Sequence, residues 1–543
     1  MFRHIAVTLA LLAASCATAP EGSTTVEVNI LAINDFHGNL EPPSGGVTVL
    51  DAAGASVRVP GGGAPRLATL VEQRRALASN VIMVAAGDLI GASPMLSSLF
   101  HDEPTVEAMN MMGLSLSAVG NHEFDEGAAE LLRMQNGGCH PRDGCRGLTP
   151  FAGARFQYLA ANTIVDASAQ TLLPPSVVRE FDGVRVGFIG LTLEGTSQVL
   201  APGAADGLTF LDEVETINTE AARLRAQGIE AIVVLLHEGG SRMAGAGDCP
   251  GLSGAIVGIM EGLDPSIDVV VSGHTNGIYI CRMAGILLTS ASQYGALLTD
   301  IALTIDRRTG DVIASSAHNF VVADTLAEDA ALADHIAAYR ALAAPMMSRP
   351  VGTLAVALTR TPTPSGESSM GLVVADSMLA NAASALGRPA DVAFMNRGGV
   401  RASLDHPGSV TLSDIFSVTP FGNDLVTLEM TGAEIEVVLA QQFRADRNSI
   451  LQVSEGSSFA WRSAPDGGTV ISGSVQIAGA PLDRARTYLI VTNSFLASGG
   501  EGFTGFTVGR ARTVIGSDLD ALEAYFAAHS PVDAPAMPRA FVQ

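Results

Sequence analysis

The chain has 543 residues, of which 47% are hydrophobic and 16% are charged, and its formal net charge is −24. This length exceeds what one hydrophobic core usually serves, so the composition predicts at least two globular domains. The negative charge argues against nucleic-acid polymers and anionic membrane surfaces as partners, because both repel an acidic protein. A phosphate group would have to be bound locally, by metal ions and individual arginines.

The N-terminal segment has the pattern of a bacterial export signal. Arg3 precedes an apolar stretch, Ile5 to Ala14, that is too short to span a bilayer. Small residues stand directly before Cys16, as at a lipoprotein cleavage site. We therefore expect residues 1–15 to be removed, Cys16 to be lipidated and residues 16–25 to form a tether. An ordinary signal peptide followed by an incidental cysteine is the alternative.

Five short polar signatures follow apolar runs in the first half of the chain. The runs are rich in Val and Ile and are bounded by Gly, Asn or Asp, which predicts buried strands. They cover residues 26–33, 81–85, 116–119, 231–236 and 267–271. The signatures are Asn34-Asp35-Phe36-His37-Gly38, Gly87-Asp88, Gly120-Asn121-His122-Glu123, His237-Glu238 and Gly273-His274-Thr275-Asn276.

If these strands lie side by side in one sheet, their ends bring seven potential metal ligands to the same edge. The seven are Asp35, His37, Asp88, Asn121, His237, His274 and Asn276. Imidazole combined with carboxylate and amide oxygen favours Zn, Mn, Fe or Co over Ca or Mg. Each pair alone has an ordinary interpretation, because Gly-Asp and Gly-His are common in turns and a single histidine after a strand is usually a core residue. Their combination predicts a site for two transition-metal ions.

These signatures resemble the 5′-nucleotidase family of calcineurin-like dinuclear metallophosphatases, and the resemblance covers nearly the whole mature chain. It implies an α/β protein, with an N-terminal metallophosphatase β-sandwich flanked by helices, a linker helix and a C-terminal α/β nucleotide-recognition domain. By the family's pattern, one metal ion is held by Asp35, His37, Asp88 and Asn276, and the other by Asp88, Asn121, His237 and His274. Asp88 would then bridge the two ions. Many relatives carry His or Gln in place of Asn276, and an amide oxygen can serve there.

His122 and Asp125 resemble the family's catalytic dyad, in which the imidazole faces the substrate phosphate and the carboxylate orients it. The alternative for Asp125 is to cap the following helix. We expect Glu123 and Glu238 to support the ligands or the fold, since acidic side chains commonly orient ligating histidines.

The C-terminal part resembles the family's nucleotide-recognition domain. Two glycines between Arg397 and Arg401 allow a tight turn, so that an arginine can bind phosphate or ribose. The resemblance implies that Arg401 contacts phosphate, that Asn396 contacts the nucleoside and that Phe421 and Phe495 stack on the base. Core packing is the alternative for both phenylalanines.

Two positions depart from the family's pattern. Glu501 stands where relatives usually have an aspartate that accepts hydrogen bonds from the ribose hydroxyls. The arginine that usually precedes the Met370-Gly371 pair is absent from the segment 364–370. Arg360 and Arg397 are the candidates to replace it at the phosphate.

The boundary between the domains follows from the pattern of hydrophobic residues. Leu332, Ile336 and Tyr339 recur at helical spacing, which predicts a linker helix that ends before Pro345. We therefore assign residues 26–325 to the catalytic domain, 326–349 to the linker and 350–543 to the substrate-binding domain.

Four cysteines remain after Cys16. In an oxidising compartment, the simplest pairing is Cys139 with Cys145 and Cys249 with Cys281, although two other pairings are possible. A cysteine-ligated zinc ion is a further alternative, but the spacing matches no zinc pattern.

The sequence thus predicts an exported periplasmic or cell-envelope lipoprotein that contacts the membrane only through its lipid anchor. Its expected activity is that of a 5′-nucleotidase, which hydrolyses nucleoside 5′-phosphates to nucleoside and phosphate with a metal-activated hydroxide. The alternative is a sister activity on the same scaffold: 2′,3′-cyclic phosphodiesterase with 3′-nucleotidase, nucleotide-sugar hydrolase or sulfur-compound hydrolase. A third hypothesis is a nucleotide-binding lipoprotein without turnover.

Overall fold

A computed structural model describes residues 23–43, 46–51, 53–200, 203–241, 251–444, 448–464 and 467–543. The predicted export signal, the lipidation at Cys16 and the Cys249–Cys281 pairing involve residues outside these ranges, so they stay predictions. The Cys139–Cys145 disulfide is present, with the two Cα atoms 4.6 Å apart.

Two six-stranded sheets form the N-terminal domain. In spatial order, sheet I consists of Val312–Val321, Leu297–Asp306, Thr25–Ile33, Val81–Ala86, Leu116–Ala118 and Gln157–Leu159. Sheet II consists of Ile278–Met283, Ile286–Ala291, Val269–Ser272, Ala231–His237, Val184–Thr192 and Ser176–Phe181. The smaller strands of this domain are Val47–Leu50, Ser56–Val59, Thr163–Val165, Gln170–Thr171 and Leu208–Phe210.

The two sheets pack face to face through aliphatic side chains. Val28 and Val84 of sheet I share one buried cluster with Val233 and Val269 of sheet II. Helices cover the outer face of each sheet, because alternate side chains of the same strands point outward and are also apolar. The helices and 3-10 turns of this domain are Ala64–Arg75, Met95–Ser98, Glu103–Met111, His122–Phe124, Ala128–Asn136, Thr196–Val199, Glu213–Ala226 and Ala255–Gly262. The predicted β-sandwich flanked by helices is confirmed.

The five signature-bearing strands lie in two sheets, not in the single sheet for which the sequence analysis derived their convergence. Thr25–Ile33, Val81–Ala86 and Leu116–Ala118 belong to sheet I, whereas Ala231–His237 and Val269–Ser272 belong to sheet II. Both sets are parallel within their sheets, with Ile33 paired to Ala85 and Leu236 to Ser272. The signatures still meet, because the carboxyl ends of both sets lie at the same end of the sandwich.

The linker helix is Ala330–Met347, and the Asp329 side chain caps it by accepting a 2.9 Å hydrogen bond from the Leu332 N–H. Its predicted end before Pro345 is wrong, because the helix continues through this proline to Met347. Pro345 lies in the last turn, where the missing N–H costs only one intrahelical hydrogen bond. Leu332, Ile336 and Tyr339 are buried against the catalytic domain, as their helical spacing predicts.

The C-terminal domain is built on a five-stranded sheet in the order Gln452–Val453, Val392–Met395, Thr487–Asn493, Asp424–Thr431 and Arg510–Ser517. Its smaller strands are Pro350–Leu354, Gly408–Thr411, Phe459–Ala464, Gly467–Val470, Gln476–Ile477, Ala480–Pro481 and Ala540–Val542. Its helices and 3-10 turns are Ser369–Leu386, Arg397–Gly399, Leu412–Val418, Gly432–Ala440, Ser494–Ala497, Gly500–Gly502, Thr504–Val508 and Asp518–His529.

Helix Ser369–Leu386 is long and apolar enough to cross a membrane by composition alone. In this fold it is a core helix, because Met370, Val373, Val374 and Met378 are buried in the cluster that covers one face of the C-terminal sheet. Met95 of the catalytic domain belongs to the same cluster, so the apolar contact continues from one domain into the other.

Candidate active site between the two domains

The seven predicted metal ligands converge at the carboxyl ends of the two sheets, and we call them the metal wall. Five of them have a left-handed backbone, which is rare for residues other than glycine. Their φ values lie between 47° and 67°, at Asp35, His37, Asp88, His274 and Asn276. Asp, Asn and His tolerate this conformation better than most residues, so the chemistry of ligation and the backbone geometry favour the same residue types.

Asp88 lies at the centre of the metal wall. Its Oδ2 atom is 3.0 Å from His237 Nε2 and 3.7 Å from His37 Nε2. Asn121 Oδ1 lies 3.1 Å from His237 Nε2 and 2.9 Å from His274 Nδ1. Asp88 is also common to two groups of potential ligand atoms, one with His37 and His122 and the other with His237 and His274. This arrangement matches the position expected of a bridging carboxylate.

Two buried oxygen atoms of the metal wall lack hydrogen-bond partners among the described residues. They are Asp35 Oδ1 and Asn276 Oδ1. Leaving a buried acceptor without a donor costs about 1 to 3 kcal/mol, so each such atom needs an explanation, of which a bound ion is one. Both oxygens are acceptors of the kind that coordinate divalent cations. The residues present therefore fit the metal ions that the sequence predicts.

Burial and mutual charge shift the pKa values of these groups strongly. Burial raises the pKa of Asp35 to about 7 and lowers that of His37 to about 3. Burial opposes the charged form of His237 as well, but the Asp88 carboxylate outweighs it and raises the pKa to about 10. His237 and His122 hold the pKa of Asp88 well below its usual range despite burial. The cluster thus carries buried negative charge that protons or metal ions must compensate.

Glu123 fixes the backbone that carries Asp88 and Asn121. Its carboxylate accepts hydrogen bonds from the N–H groups of Asp88, Leu89 and Gly120 at 2.9, 2.8 and 2.6 Å. A Cβ atom on Gly120 would lie only 2.2 Å from Asp88 Oδ1, so this position excludes any larger residue. The glycine in this signature therefore provides space for the neighbouring ligand.

His122 and Asp125 form the predicted pair. His122 Nδ1 lies 2.7 Å from Asp125 Oδ2, and the His122 backbone N–H donates to Asp88 Oδ1 at 2.9 Å. Burial opposes protonation of His122, but the Asp125 carboxylate outweighs it and raises the pKa of the imidazole. Asp125 therefore orients the ring. Its carboxylate does not cap the following helix, Ala128–Asn136, which has no side-chain cap.

One cavity of about 350 Å³ joins the metal wall to the C-terminal domain. From the catalytic domain it is lined by Asn121, His122, Asp125 and His274. The opposite side, which we call the nucleoside wall, is formed by Asn396, Arg401, Phe421, Asn423, Asn493, Phe495 and Glu501. Residues more than 100 positions apart in the sequence thus share one binding space.

The aromatic side chains of the nucleoside wall are only partly buried. The Phe421 ring stacks on the His122 ring, with centroids 5.8 Å apart and planes 18° apart. The Phe495 ring packs against Gly500, where a Cβ atom would lie 2.5 Å from the ring. Glu501 accepts a 3.0 Å hydrogen bond from the Asn396 side chain, which in turn accepts one from Asn493 at 3.0 Å.

The arginines occupy distinct positions. Arg401 lines the cavity, and its guanidinium carbon lies 5.7 Å from the centre of the Phe421 ring. Arg397 is exposed and is not among the described residues that line the cavity. Arg360 lies with Arg401 in an adjoining cavity of about 230 Å³, and its guanidinium donates to the Arg401 carbonyl at 2.5 Å. The geometry therefore favours Arg360 over Arg397 as the arginine beside Arg401.

Sequence reasoning assigned no role to three residues of this site. Asn34 donates to Asp35 Oδ2 and to the Ser292 carbonyl, both at 2.6 Å, and so connects Asp35 to the segment that follows strand Ile286–Ala291. Asn423 and Asn493 line the cavity. All three belong to the polar signatures or motifs of the sequence. Each lies one or two positions from a predicted ligand or stacking phenylalanine, and this proximity could have identified them as site residues.

The chain matches the calcineurin-like phosphoesterase family over residues 28–277 and the 5′-nucleotidase C-terminal domain family over residues 350–508. It is 32% identical to the cell wall protein Lmo0130 of Listeria monocytogenes, over 93% of this chain and 67% of that protein. It is 30% identical to the endonuclease YhcR of Bacillus subtilis, over 89% of this chain but only 38% of that protein.

The fold resembles that of the 5′-nucleotidase precursor from Thermus thermophilus, with a TM-score of 0.77 and 26% identity over 95% of this chain and 99% of that chain. Together with the ligand geometry, these similarities define a metal-dependent phosphoesterase, a hydrolase of phosphoric esters. More narrowly, the chain belongs to the 5′-nucleotidase family of calcineurin-like phosphoesterases.

Proposed function

We propose that this protein is an exported 5′-nucleotidase that uses two divalent transition-metal ions to hydrolyse nucleoside 5′-phosphates to nucleoside and phosphate. The observation that carries the proposal is the shared cavity, in which His122 and two residues of the metal wall, Asn121 and His274, line the same space as Arg401, Phe421 and Phe495. A nucleotide could place its phosphate beside the metal wall and its base beside the two phenylalanine rings of the same cavity.

In this proposal, Asp35, His37, Asp88 and Asn276 hold one ion, and Asp88, Asn121, His237 and His274 hold the other. Zn, Mn, Co and Fe all suit this mixture of nitrogen and oxygen donors. When bound, two such ions activate a water molecule and neutralise the charge of the phosphoryl oxygens. The buried, unpartnered oxygens of Asp35 and Asn276 support the assignment.

The protein's own side chains position the substrate and supply a proton to the leaving group. The Asp125 carboxylate is hydrogen-bonded to Nδ1 of His122, so Nε2 is the ring nitrogen that can contact the phosphate. Because the pKa of His122 is raised, its protonated ring can stabilise the developing charge and donate a proton to the departing ribose oxygen. Arg401 would bind the phosphate through its fork of N–H donors.

The nucleoside wall would select the other half of the substrate. Phe421 and Phe495 stack on the base, Asn396 contacts the nucleoside and Glu501 accepts from the ribose hydroxyls. The 3.0 Å hydrogen bond between Asn396 and Glu501 holds both polar groups in the cavity before a substrate arrives.

A sister activity remains the second candidate. It is favoured by the missing arginine before Met370 and by the adjoining cavity that Arg360 and Arg401 share, which offers positive charge beyond a single phosphate. The sister activities are those of a 2′,3′-cyclic phosphodiesterase with 3′-nucleotidase activity, a nucleotide-sugar hydrolase or a hydrolase of sulfur compounds.

A substrate panel on the purified protein tests both candidates. We expect nucleoside 5′-monophosphates to give the highest kcat/KM when compared with di-, tri- and cyclic nucleotides, 3′-monophosphates and nucleotide sugars. Asp88→Ala is the control for contaminating phosphatase. Preference for a cyclic nucleotide or a nucleotide sugar would replace the first candidate by the second.

We further propose that Cys16 anchors the exported protein by a lipid. Wild-type protein expressed with its full N-terminal segment should partition into the detergent phase on Triton X-114 separation, and Cys16→Ala should move to the aqueous phase. Aqueous partition of both forms would indicate plain secretion.

A further inference from the structure

His101 lines the cavity, although it belongs neither to the metal wall nor to the nucleoside wall. Its imidazole lies between two carboxylates. His101 Nδ1 is 3.2 Å from Glu126 Oε1, and Nε2 is 2.9 Å from Asp143 Oδ2. Ionised carboxylates only accept hydrogen bonds, so both ring nitrogens of His101 must donate. His101 is therefore present as the doubly protonated, positively charged imidazolium.

The charges of the three groups stabilise one another. The hydrogen bond to Glu126 raises the pKa of His101 above its usual value, and burial opposes this only in part. The hydrogen bonds that His101 donates lower the pKa of Glu126 and the pKa of Asp143. The two carboxylates thus stay ionised and keep the ring in its charged form.

The neighbouring His140 ring is neutral. The Asp143 backbone N–H donates to His140 Nδ1 at 3.2 Å, so this nitrogen carries no proton. The rings of His101 and His140 stack, with centroids 3.7 Å apart and planes 13° apart. Two cationic rings would repel each other at this distance, whereas a neutral aromatic face attracts a cation. His140, which is 4% exposed, therefore shields one face of the His101 cation from water.

A constrained loop carries the second carboxylate. His140 and Asp143 lie in the loop closed by the Cys139–Cys145 disulfide, which restricts the conformations that the loop can adopt. Arg146 Nη2 lies 3.3 Å from the other oxygen of this carboxylate, Asp143 Oδ1. Asp143 is therefore an anchor for the His101 ring.

The first carboxylate leads directly to the predicted catalytic pair. Glu126 follows Asp125 in the turn that precedes helix Ala128–Asn136. The Asp125 carboxylate in turn is hydrogen-bonded to His122 at 2.7 Å. Because Asp125 and Glu126 share the backbone of one turn, the contact between Glu126 and His101 restrains the position of the Asp125 carboxylate.

The residue after His101 contacts the same pair by a second route. Asp102 Oδ2 accepts a 3.1 Å hydrogen bond from the Gly91 N–H. Gly91 packs so closely that a Cβ atom on it would lie 2.6 Å from His122 Cβ and 2.8 Å from Asp125 Oδ2. His101 and Asp102 thus hold two different parts of the backbone around the pair.

The backbone at these two residues is strained. The φ angles of His101 and Asp102 are 51° and 59°, in the left-handed region that residues other than glycine rarely adopt. Such conformations persist only where the surrounding structure determines them, and they cluster at functional sites. Here the strained conformation directs one side chain to Glu126 and the next to Gly91.

We propose that His101 is a positioning residue for His122. As an imidazolium between the two carboxylates, it fixes the turn that carries Asp125, and Asp125 fixes the imidazole that faces the substrate phosphate. The inference rests on the proposed function, because it requires the His122–Asp125 pair to act on that phosphate. His101 affects the reaction through His122 and not by contact with the reacting atoms.

Steady-state kinetics with a nucleoside 5′-monophosphate test this role. His101→Gln keeps a side chain of similar length, but its amide is an acceptor at one end and cannot donate to both carboxylates. We expect kcat to fall about 10- to 100-fold, as for a misplaced catalytic group, while KM changes less than about twofold. The metal content measured by elemental analysis should stay that of the wild type. His318→Gln, at an exposed histidine on strand Val312–Val321, is the matched control.

A double-mutant cycle separates positioning from general support of the fold. In a His122→Ala background there is no imidazole to align, so adding His101→Gln should cost no further activity. A purely structural role would cost the same factor in both backgrounds, since independent effects add. Equal losses in both backgrounds would overturn the proposal. So would an unchanged kcat, or a rise in KM alone, which would mean that the ring contacts the nucleoside.

Glu126→Ala is the second variant, for the case that thermal unfolding shows His101→Gln to be unfolded. The Glu126 side chain is 41% exposed, and its removal cuts the connection between His101 and the turn. We expect kcat to fall in the same range, again with KM and metal content unchanged, and a wild-type kcat would overturn the proposal. An unchanged kcat in His122→Ala would instead refute the catalytic pair of the proposed function, so the two failures are distinguishable.

Discussion

The two walls of the cavity are built in different ways. Five of the seven predicted ligands of the metal wall have positive φ, and Asp35, His37, Asp88 and His237 are at most 2% exposed. Of the seven residues of the nucleoside wall, Glu501 is the only one with positive φ. Phe421, Phe495 and Arg401 are only partly buried.

This difference suggests a division of labour. Residues in left-handed conformations cost on the order of 1 to 3 kcal/mol each and persist only where the surrounding fold determines them. The metal wall is therefore preorganised by strand ends and backbone hydrogen bonds, such as those to Glu123. In the proposed function, the nucleoside wall binds the substrate by stacking and through adaptable side chains, so its residues should affect substrate binding more than catalysis.

The largest effect should come from the centre of the metal wall. Asp88→Ala should abolish turnover and lower the bound metal from about two equivalents toward one or none at this centre, because both ions are assigned to this carboxylate. Elemental analysis and a phosphate-release assay measure the two effects. Retention of both ions would show that Asp88 does not bridge them.

A smaller effect is expected where the metal wall meets the substrate. His122→Ala should keep the metal content and the fold but lose about 10² to 10⁴ in kcat, since proton transfer and charge stabilisation contribute that much. Steady-state kinetics on metal-loaded protein measure this loss, with the exposed His318→Ala as the control. Loss of a metal ion would identify His122 as a ligand, and an unchanged kcat would eliminate the dyad.

The nucleoside wall should respond in KM rather than in kcat. Replacing both Phe421 and Phe495 by Ala removes stacking worth about 1 to 3 kcal/mol per base, so KM for nucleoside monophosphates should rise strongly. Hydrolysis of p-nitrophenyl phosphate, which lacks the nucleoside, should change little. Phe541→Ala, at an exposed phenylalanine of the same domain, is the control. Equal losses on both substrates would mean that the rings serve the fold, and no loss on either would place the nucleoside elsewhere.

The smallest effect concerns stability rather than activity. Asp518 is fully buried near the nucleoside wall, and burial raises its pKa to about 7. A raised pKa means that its contribution to stability is fully present below the unfolded pKa of 3.8 and is lost as the pH rises through about 7. Asp518→Asn should therefore gain stability relative to the wild type between about pH 4 and pH 7, on the order of 1 kcal/mol or more.

Thermal unfolding across this pH range measures the Asp518 effect. Asp520→Asn, an exposed carboxyl on the same helical turn, is the matched control and should show no such growth with pH. A constant difference between Asp518→Asn and the wild type at all pH values would contradict the assignment.

Local sequence patterns predicted the two-domain fold and the convergence of the signatures, but not which sheet each strand joins. The strands are apolar on both faces, and such strands carry little information about their neighbours. Pro345 illustrates the same limit, because whether a proline ends a helix depends on the packing around its last turn. By contrast, the helical spacing correctly predicted one buried helix face that carries Leu332, Ile336 and Tyr339.

Long-range hydrogen bonds were beyond prediction for a different reason. Asn34 is 258 positions from Ser292, and neither residue type signals the contact. The group formed by His101, Glu126, Glu130 and His140 likewise gathers side chains from a turn, a helix start and a disulfide loop, with no repeat or spacing that would connect them. Its geometry becomes visible only when the chain is folded.

The strand Thr25–Ile33 lies between Val81–Ala86, which follows it closely in sequence, and Leu297–Asp306, which is synthesised about 270 residues later. At about 5 to 20 residues per second, that delay is roughly 15 to 55 seconds. For most of this interval the ligand set is itself incomplete, because His274 and Asn276 precede Leu297 by only about 20 residues, and the strand that presents Asp35 and His37 has an open edge. The site is therefore complete only after the chain has reached Leu297–Asp306, the second neighbour of its first strand.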